Sequence, residues 1–316
     1  MSKASTKRKK PRRVLGLLDL TQAKTSVLST LTSQSGQRTY DHAIDDFVGW
    51  YCSEPRLAFN RTVVLRYRIH LEQRLYAPAT INLCLAAVRR LAYEAADSGL
   101  LSPELAAGIR RVKGMRRLGV RTGNWLTADQ GRRLLERQER STLRSKRNYA
   151  MLAMLLGCGL RRAELLSLKM GSVQLREDHW VIADLIGKGG HVRTVPIPAW
   201  VKTGLDAWVV SAGIKEGPIF RAINKAGRVW GTGMTPKVIW EVVKEAARRA
   251  DIGRLAPHDL RRTCARLCYL AGGELEQIQF LLGHASVQTT ERYLGCKQKL
   301  RHAVNDRLGL EPESGP

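Results

Sequence analysis

Acidic residues are scarce in this chain of 316 residues: 28 Asp and Glu stand against 53 Lys and Arg, a formal net charge of +25. Such an excess predicts attraction to a polyanion, with an affinity that falls steeply as salt rises. Ribosomal and chromatin proteins share that charge, so charge alone names no function. Cysteine is equally thin. Cys52, Cys84, Cys158, Cys264, Cys268 and Cys296 form no Cys-x-x-Cys pair and none stands at zinc spacing from a histidine, which argues against a structural metal. Cys264 and Cys268, one helical turn apart, read as small helix-packing residues. Scattered thiols fit a reducing cytoplasm. The basic N-terminus has no apolar stretch behind it, so it is not a secretion signal, and no window is long and apolar enough to span a membrane. Neither a P-loop nor a cluster of acids suited to two-metal chemistry is found, so no cofactor is expected.

What is present falls into segments. Residues 1–13 hold seven Lys or Arg and no acid, a composition that stays solvated unless it lies on a polyanion. Residues 14 to about 38, rich in Ser, Thr and Gln, read as loosely structured, so 1–38 reads as a basic flexible segment. From 39 to 109 the apolar residues recur at helical spacing: Ile44, Phe47, Val48 and Tyr51; Val63, Val64, Tyr67 and Leu71; then Leu83, Ala87, Leu91 and Ala95 behind Pro78. Ser102-Pro103-Glu104 reads as an N-cap and first turn. Four short helices with arginines on their other faces predict a small basic bundle. Residues 110–124 read as a basic, Gly-punctuated linker, either a solvated tether or a segment lying on nucleic-acid phosphate.

A second domain, 125–296, opens with a threonine N-cap at Thr127 and a buried helix over 148–156. Strands are predicted over 172–175, 180–185 and 191–195, with a tight turn at 187–190. Helices follow over 199–211, 235–250, 257–271 and 274–282. Beyond it, 297–316 carries Leu300, Val304 and Leu308 at helical spacing, a short C-terminal helix and tail. The fold class is therefore mainly α with a small antiparallel β-sheet.

Four segments carry chemistry: Gly159-Leu160-Arg161-Arg162-Ala163-Glu164-Leu165, Gly187-Lys188-Gly189-Gly190, His258-Asp259-Leu260-Arg261, and Leu282-Gly283-His284 with Tyr293 nine residues on. Two arginines can clamp one phosphate, because a planar guanidinium matches the non-bridging oxygens on which charge builds in the transition state. Arg161 stands at a helix start, where free amides favour phosphate, and Glu164, one turn later, can fix it. Lys188, between glycines, is either a turn residue or a mobile general acid. His258 shares a helix face with Arg261 and can take a proton. Tyr293 is either a core tyrosine or a nucleophile, and a phenol needs a base and cations beside it to attack.

In this order and spacing the four segments resemble the tyrosine recombinase (phage integrase) family over about the last half of the chain. The resemblance implies Arg161, Lys188, His258, Arg261, His284 and Tyr293 as catalytic residues, with Tyr293 the nucleophile and Glu164 in support. It departs at Arg162, where an apolar residue is common, and at Gly295, where a histidine often stands. The resemblance implies further a helical core-binding domain ahead of an α+β catalytic domain. Candidate DNA contacts, read from the basic bundle and the basic linker, are Arg89, Arg90, Arg110, Arg111, Lys113, Arg116 and Arg117. The implied activity is site-specific cleavage and rejoining of double-stranded DNA through a 3′-phosphotyrosine, without metal or ATP. The implied partners are inverted-repeat sites on DNA, a tetramer of the chain and an accessory DNA-bending protein, and the implied setting is a mobile element in a bacterial nucleoid. A type IB topoisomerase-like enzyme and a non-catalytic DNA-binding accessory protein are the competing expectations.

Overall fold

The computed structural model describes residues 15–53, 58–116, 124–187 and 189–294. The chain divides into two compact units, one up to residue 120 and one from residue 121.

The first unit is a bundle of helices: α1 (Leu17–Ser29), α2 (Gln34–Ser53), α3 (Arg61–Gln73), α4 (Pro78–Asp97) and α5 (Pro103–Arg110). Local chemistry sets several starts. Asn60 Oδ1 accepts the Val63 amide at 3.1 Å, and Ser102 Oγ accepts the Leu105 amide with Pro103 in the first turn. The core runs along α4, where Ile81, Leu85, Val88, Leu91, Ala92 and Ala95 are buried. Phe47 packs edge-on to Tyr67 at 5.0 Å beside Phe59.

Three expectations change here. Residues 15–38 are not loose: Leu15, Leu20, Ala23 and Val27 are buried and fasten α1 to α2 and α4. The buried stripe is narrow, and the exposed Leu17 and Leu18 beside it blur its helical period in the sequence. The four helices expected over 39–109 are present as α2 to α5, although α2 begins before residue 39, and α1 adds a fifth helix to the bundle among the described residues. The first half of the supposed linker, 110–116, is fixed to the bundle. Val112 is buried, and Asn82 holds the Met115 backbone through both its amide groups, at 2.7 and 3.0 Å.

The second unit starts with α6 (Ala128–Glu136), where Thr127 Oγ1 accepts the Gln130 amide and Gln130 Oε1 accepts the Thr127 amide, a reciprocal cap. α7 (Leu143–Gly157) is its central helix, with every residue from Tyr149 to Leu156 buried. A six-residue helix, α8 (Arg162–Ser167), leads into a three-stranded antiparallel sheet of β1 (Val173–Arg176), β2 (His179–Ile186) and β3 (Val192–Pro196) in the order β1-β2-β3. α9 (Ala199–Ala212) packs on α7, and the Trp208 indole donates to the Ile219 carbonyl at 3.0 Å. A small hairpin that sequence reading missed, β4 (Ala222–Ile223) with β5 (Val229–Trp230), precedes α10 (Pro236–Arg249), α11 (Pro257–Leu270), α12 (Leu275–Leu282) and α13 (Val287–Leu294). Among the described residues no helix is long and apolar enough to cross a membrane. Residues 1–13, Lys188, Arg117, and the stripe Leu300, Val304 and Leu308 lie outside the described residues.

A bulge in β2 sets the course of the β2–β3 hairpin. The register slips between Ile182, opposite Val195, and Leu185, opposite Arg193, with Asp184 in the left-handed region at φ 50°. The slip lets Val181, Ile182 and Ala183 be buried in succession and re-aims the end of the hairpin. It brings Gly187 to a position where an added Cβ would stand 3.0 Å from Arg193 Nη1 and 3.5 Å from Arg161 Nη1.

Candidate active site

Arg161, Glu164, His258, Arg261, His284 and Tyr293, drawn from segments up to 132 residues apart in the sequence, converge on one place in the second unit. The junction of α7 and α8 requires Gly159 in the left-handed region, at φ 59°. Its carbonyl accepts Arg261 Nη1 from α11, so the turn that presents Arg161 also anchors the second arginine. α12 ends at Gly283 at φ 60°, a left-handed C-cap that turns the chain to His284. An added Cβ at that glycine would stand 2.9 Å from Arg193.

Glu164 is the electrostatic centre. Its buried carboxylate accepts the Arg161 amide at 2.8 Å, Arg161 Nη1 at 2.6 Å, and Arg193 Nη1 and Nη2 at 3.0 and 2.9 Å. Burial opposes ionisation of this group, but the bonds from Arg193 and Arg161 outweigh it and hold the carboxyl at about 2. The start of α8 is therefore not open to phosphate through the Arg161 amide, contrary to the sequence expectation, because Glu164 already occupies it. Arg161 offers its half-buried guanidinium instead, with Nη2 directed at the Gly283 carbonyl at 3.4 Å.

Arg193 is the residue that sequence reading missed. From β3 it forms a bidentate pair with Glu164 and donates Nε to the Leu281 carbonyl at 3.1 Å, tying the sheet, α8 and α12 together. Its one sequence signal was position, five residues past Lys188 on the returning strand. Thr290 was missed as well. It is buried, and its Oγ1 stands 3.0 Å from His284 Nδ1.

Arg261 is buried, donating to the carbonyls of Gly159 and Leu282. Its Nε has no acceptor among the described residues. Burial and the neighbouring Arg161 charge pull its pKa down to about 10, which leaves it cationic near neutrality. The Tyr293 hydroxyl lies 3.4 Å from His258 Nε2, and the rings of His258 and His284 meet the phenol edge-on at 5.4 and 5.1 Å. Burial lowers the pKa of both histidines, and the surrounding arginines lower it further. His284 is brought to about 4, and both rings are neutral at pH 7. Burial raises Tyr293 above its usual value while Arg261 and Arg262 oppose it, and the Arg262 guanidinium lies 5.1 Å from the ring centre. Lys188 lies outside the described residues; Gly187 before it stands beside Arg161 and Arg193. No group of three or more His, Cys, Asp or Glu suited to a metal ion occurs among the described residues.

In the first unit the candidate DNA-contacting residues divide. Arg110, Arg111, Lys113 and Arg116 are exposed. With Arg89 and Tyr93, the first three of these line an open groove of about 700 Å³. Arg89 itself donates to the Val112 carbonyl and Arg90 to Thr30 Oγ1 at 2.7 Å, so both are half-buried and engaged within the bundle.

Residues 124–299 match the phage integrase family. Tyrosine recombinase XerC of Stutzerimonas stutzeri is 29% identical over 273 residues, covering 82% of this chain and 87% of that protein. Tyrosine recombinase XerC of Erythrobacter litoralis is 31% identical over 241 residues, 74% of each chain. Among solved structures, the fold is shared with XerH site-specific recombinase bound to a palindromic difH substrate, at a TM-score of 0.67, 20% identity and coverage of 90% of this chain and 86% of that one. A lambda integrase dimer bound to a COC′ core site also has a TM-score of 0.67, at 16% identity and coverage of 88% and 76%. The chain belongs to the phage integrase family of tyrosine recombinases.

Proposed function

We propose that the chain cleaves and rejoins double-stranded DNA at specific sites, with Tyr293 attacking the scissile phosphate. The single observation that carries this reading is the Tyr293 hydroxyl held 3.4 Å from the neutral imidazole of His258 beside buried and half-buried arginines. His258 Nε2 takes the phenolic proton as the tyrosyl oxygen bonds to phosphorus. The bond from phosphorus to the 5′ oxygen breaks, and Lys188 supplies the proton that makes the leaving group a 5′ hydroxyl. The product is a 3′-phosphotyrosine that conserves the ester's energy, so the reverse attack by a 5′ hydroxyl rejoins the strand without ATP.

Charge on the phosphoryl oxygens is met by Arg161 and Arg261. The buried Arg261 Nε lacks an acceptor among the described residues, and a phosphate oxygen would provide one. Where Thr290 Oγ1, 3.0 Å away, donates to His284 Nδ1, the ring proton sits on Nε2 and is available to a phosphate oxygen. Guanidinium cations supply the charge that a metal ion would otherwise bring. The exposed Arg110, Arg111, Lys113 and Arg116 hold backbone phosphate from the bundle. Two protomers would occupy an inverted-repeat site, and four would exchange strands pairwise through a Holliday junction.

The test is covalent trapping on nicked suicide DNA carrying the ends of the chain's own element, in chelator and without ATP. A denaturant-resistant adduct is expected with wild type and none with Tyr293→Phe. Adducts that form equally with Tyr293→Phe would overturn the assignment. Recombinant products rather than relaxed circles separate recombination from topoisomerase action.

A further inference from the structure

Arg162 is the position at which the first arginine motif departs from the common pattern, and the structure gives it a setting of its own. It is exposed at the start of α8, immediately after Arg161. No carboxylate among the described residues pairs with it. Its guanidinium stands 6.0 Å from the ring centre of Trp240 on α10, within reach of a cation–aromatic contact. Trp240 is 41% exposed, although a tryptophan on a helix that buries Ile239, Val242, Val243, Ala246 and Ala247 had a core face available to it. Trp240 also lines an open cavity of about 670 Å³, with Lys244, Arg248, Arg254, Asp259 and the Leu255–Ala256 segment that leads into His258.

The charges on this face are lopsided. Lys244 and Arg254 have no ion-pair partner among the described residues, while Glu245 and Asp259 are engaged elsewhere. Glu245 holds Arg248 and Arg249 at 2.8 to 2.9 Å, and Asp259 accepts the Ala256 amide at 2.9 Å. An aromatic plane bordered by unpaired cations, one residue from the catalytic arginine, is suited to a strand of phosphodiesters with base edges beside it.

We propose that Arg162 and Trp240 form a DNA contact that this chain adds next to its cleavage site. Arg162 holds the phosphate adjacent to the one clamped by Arg161. Trp240 lies against the edge of the neighbouring base pair, where the thymine methyl is the apolar group available in the major groove. Trp240 is thus a specificity-determining residue and Arg162 a positioning residue that orients the strand for Tyr293. The inference rests on the DNA-cleaving reading of the same site.

The test is selection of a randomised duplex library by covalent capture with full-length wild type, Arg162→Ala, Arg162→Lys, Trp240→Ala and Trp240→Phe, followed by binding titrations of the selected duplex at several salt concentrations. Arg162→Ala is expected to weaken binding to all duplexes alike and to lower the salt slope by about 0.9, equivalent to one phosphate contact. It then loses about 3.5-fold less affinity than wild type between 50 and 200 mM salt. Arg162→Lys is expected to restore the slope. Trp240→Ala is expected to lose an approximately tenfold preference for an A·T pair beside the cleavage position, with Trp240→Phe retaining most of it. Wild-type salt slope in Arg162→Ala together with unchanged base preference in Trp240→Ala overturns this inference alone, since wild-type capture would still support DNA cleavage. Failure of wild type itself to capture any duplex overturns both.

Discussion

Glu164→Gln removes one negative charge from a carboxylate that three guanidinium groups surround. Glu164 is 3% exposed, so solvent does little to screen the loss. A carboxyl held at about 2 rather than its ordinary 4.5 is favoured in its ionised form by ~3 kcal/mol, at 1.36 kcal/mol per pH unit. That figure agrees with the roughly 3–5 kcal/mol expected when a buried pair loses one partner. The sign follows from the depressed pKa: the contribution is complete above the unfolded value near 4.5 and is lost as pH falls from there towards 2. At pH 7 the thermal transition of the second unit should therefore drop by about 6–12 °C in Glu164→Gln, taking about 2–4 °C per kcal/mol for a domain of this size. The gap between wild type and variant should narrow as pH is lowered through 4. Arg193→Ala should cost a similar amount, and the double variant little more than either single one, because the two residues share one interaction. Differential scanning calorimetry on the full chain reads all three. A Glu164→Gln transition within about 1 °C of wild type at pH 7, or additive losses in the double variant, would refute the assignment of Glu164 as the charge that holds the arginines in place.

Other consequences are as direct. Leu20→Ala should destabilise the first unit by about 2–5 kcal/mol in denaturant unfolding, the cost of truncating a fully buried leucine; a flexible 15–38 segment would show no loss. Under the proposed mechanism, in which an unprotonated His258 accepts the tyrosyl proton, cleavage by the wild type should be level near neutral pH and fall on acidification with a midpoint below 6.5, because the pKa of His258 is lowered. In single-turnover rates, His258→Ala should abolish that limb. Arg111→Ala should lower the salt slope of DNA binding by about 0.9. Arg89→Ala should instead lower the stability of the bundle by about 1–3 kcal/mol, because the Val112 carbonyl loses its donor.

What could be read in the sequence was local. Gly159-Leu160-Arg161 and Leu282-Gly283-His284 each combine a glycine backbone requirement with a candidate side chain, and His258-x-x-Arg261 sets two candidates on one helix face, so the groups that assemble around Tyr293 were visible as motifs. The three strands were visible because tight turns bracket short apolar runs. What could not be read depends on partners far apart in the chain. Arg193 is one of 53 basic residues until Glu164, 29 positions earlier, is seen beside it. The 110–116 segment looks like a tether until Asn82, 33 residues before Met115, is seen to pin it. Of the apolar residues of α1 only Leu20, Ala23 and Val27 are buried, while Leu17 and Leu18 are exposed, and it is the packing of α2 and α4 that selects the core face. The Asp184 bulge leaves no signature in the composition of β2, yet it decides where the Gly187 turn arrives.

The central claim is that Tyr293 becomes covalently joined to DNA. The most direct measurement is to isolate the trapped adduct from wild type, digest it with protease and nuclease, and locate the residual nucleotide by tandem mass spectrometry. The expected product is a nucleotide linked through its 3′ phosphate to the peptide containing Tyr293, with a free 5′ hydroxyl on the released strand. A nucleotide on any other residue, or a linkage through a 5′ phosphate, would contradict it.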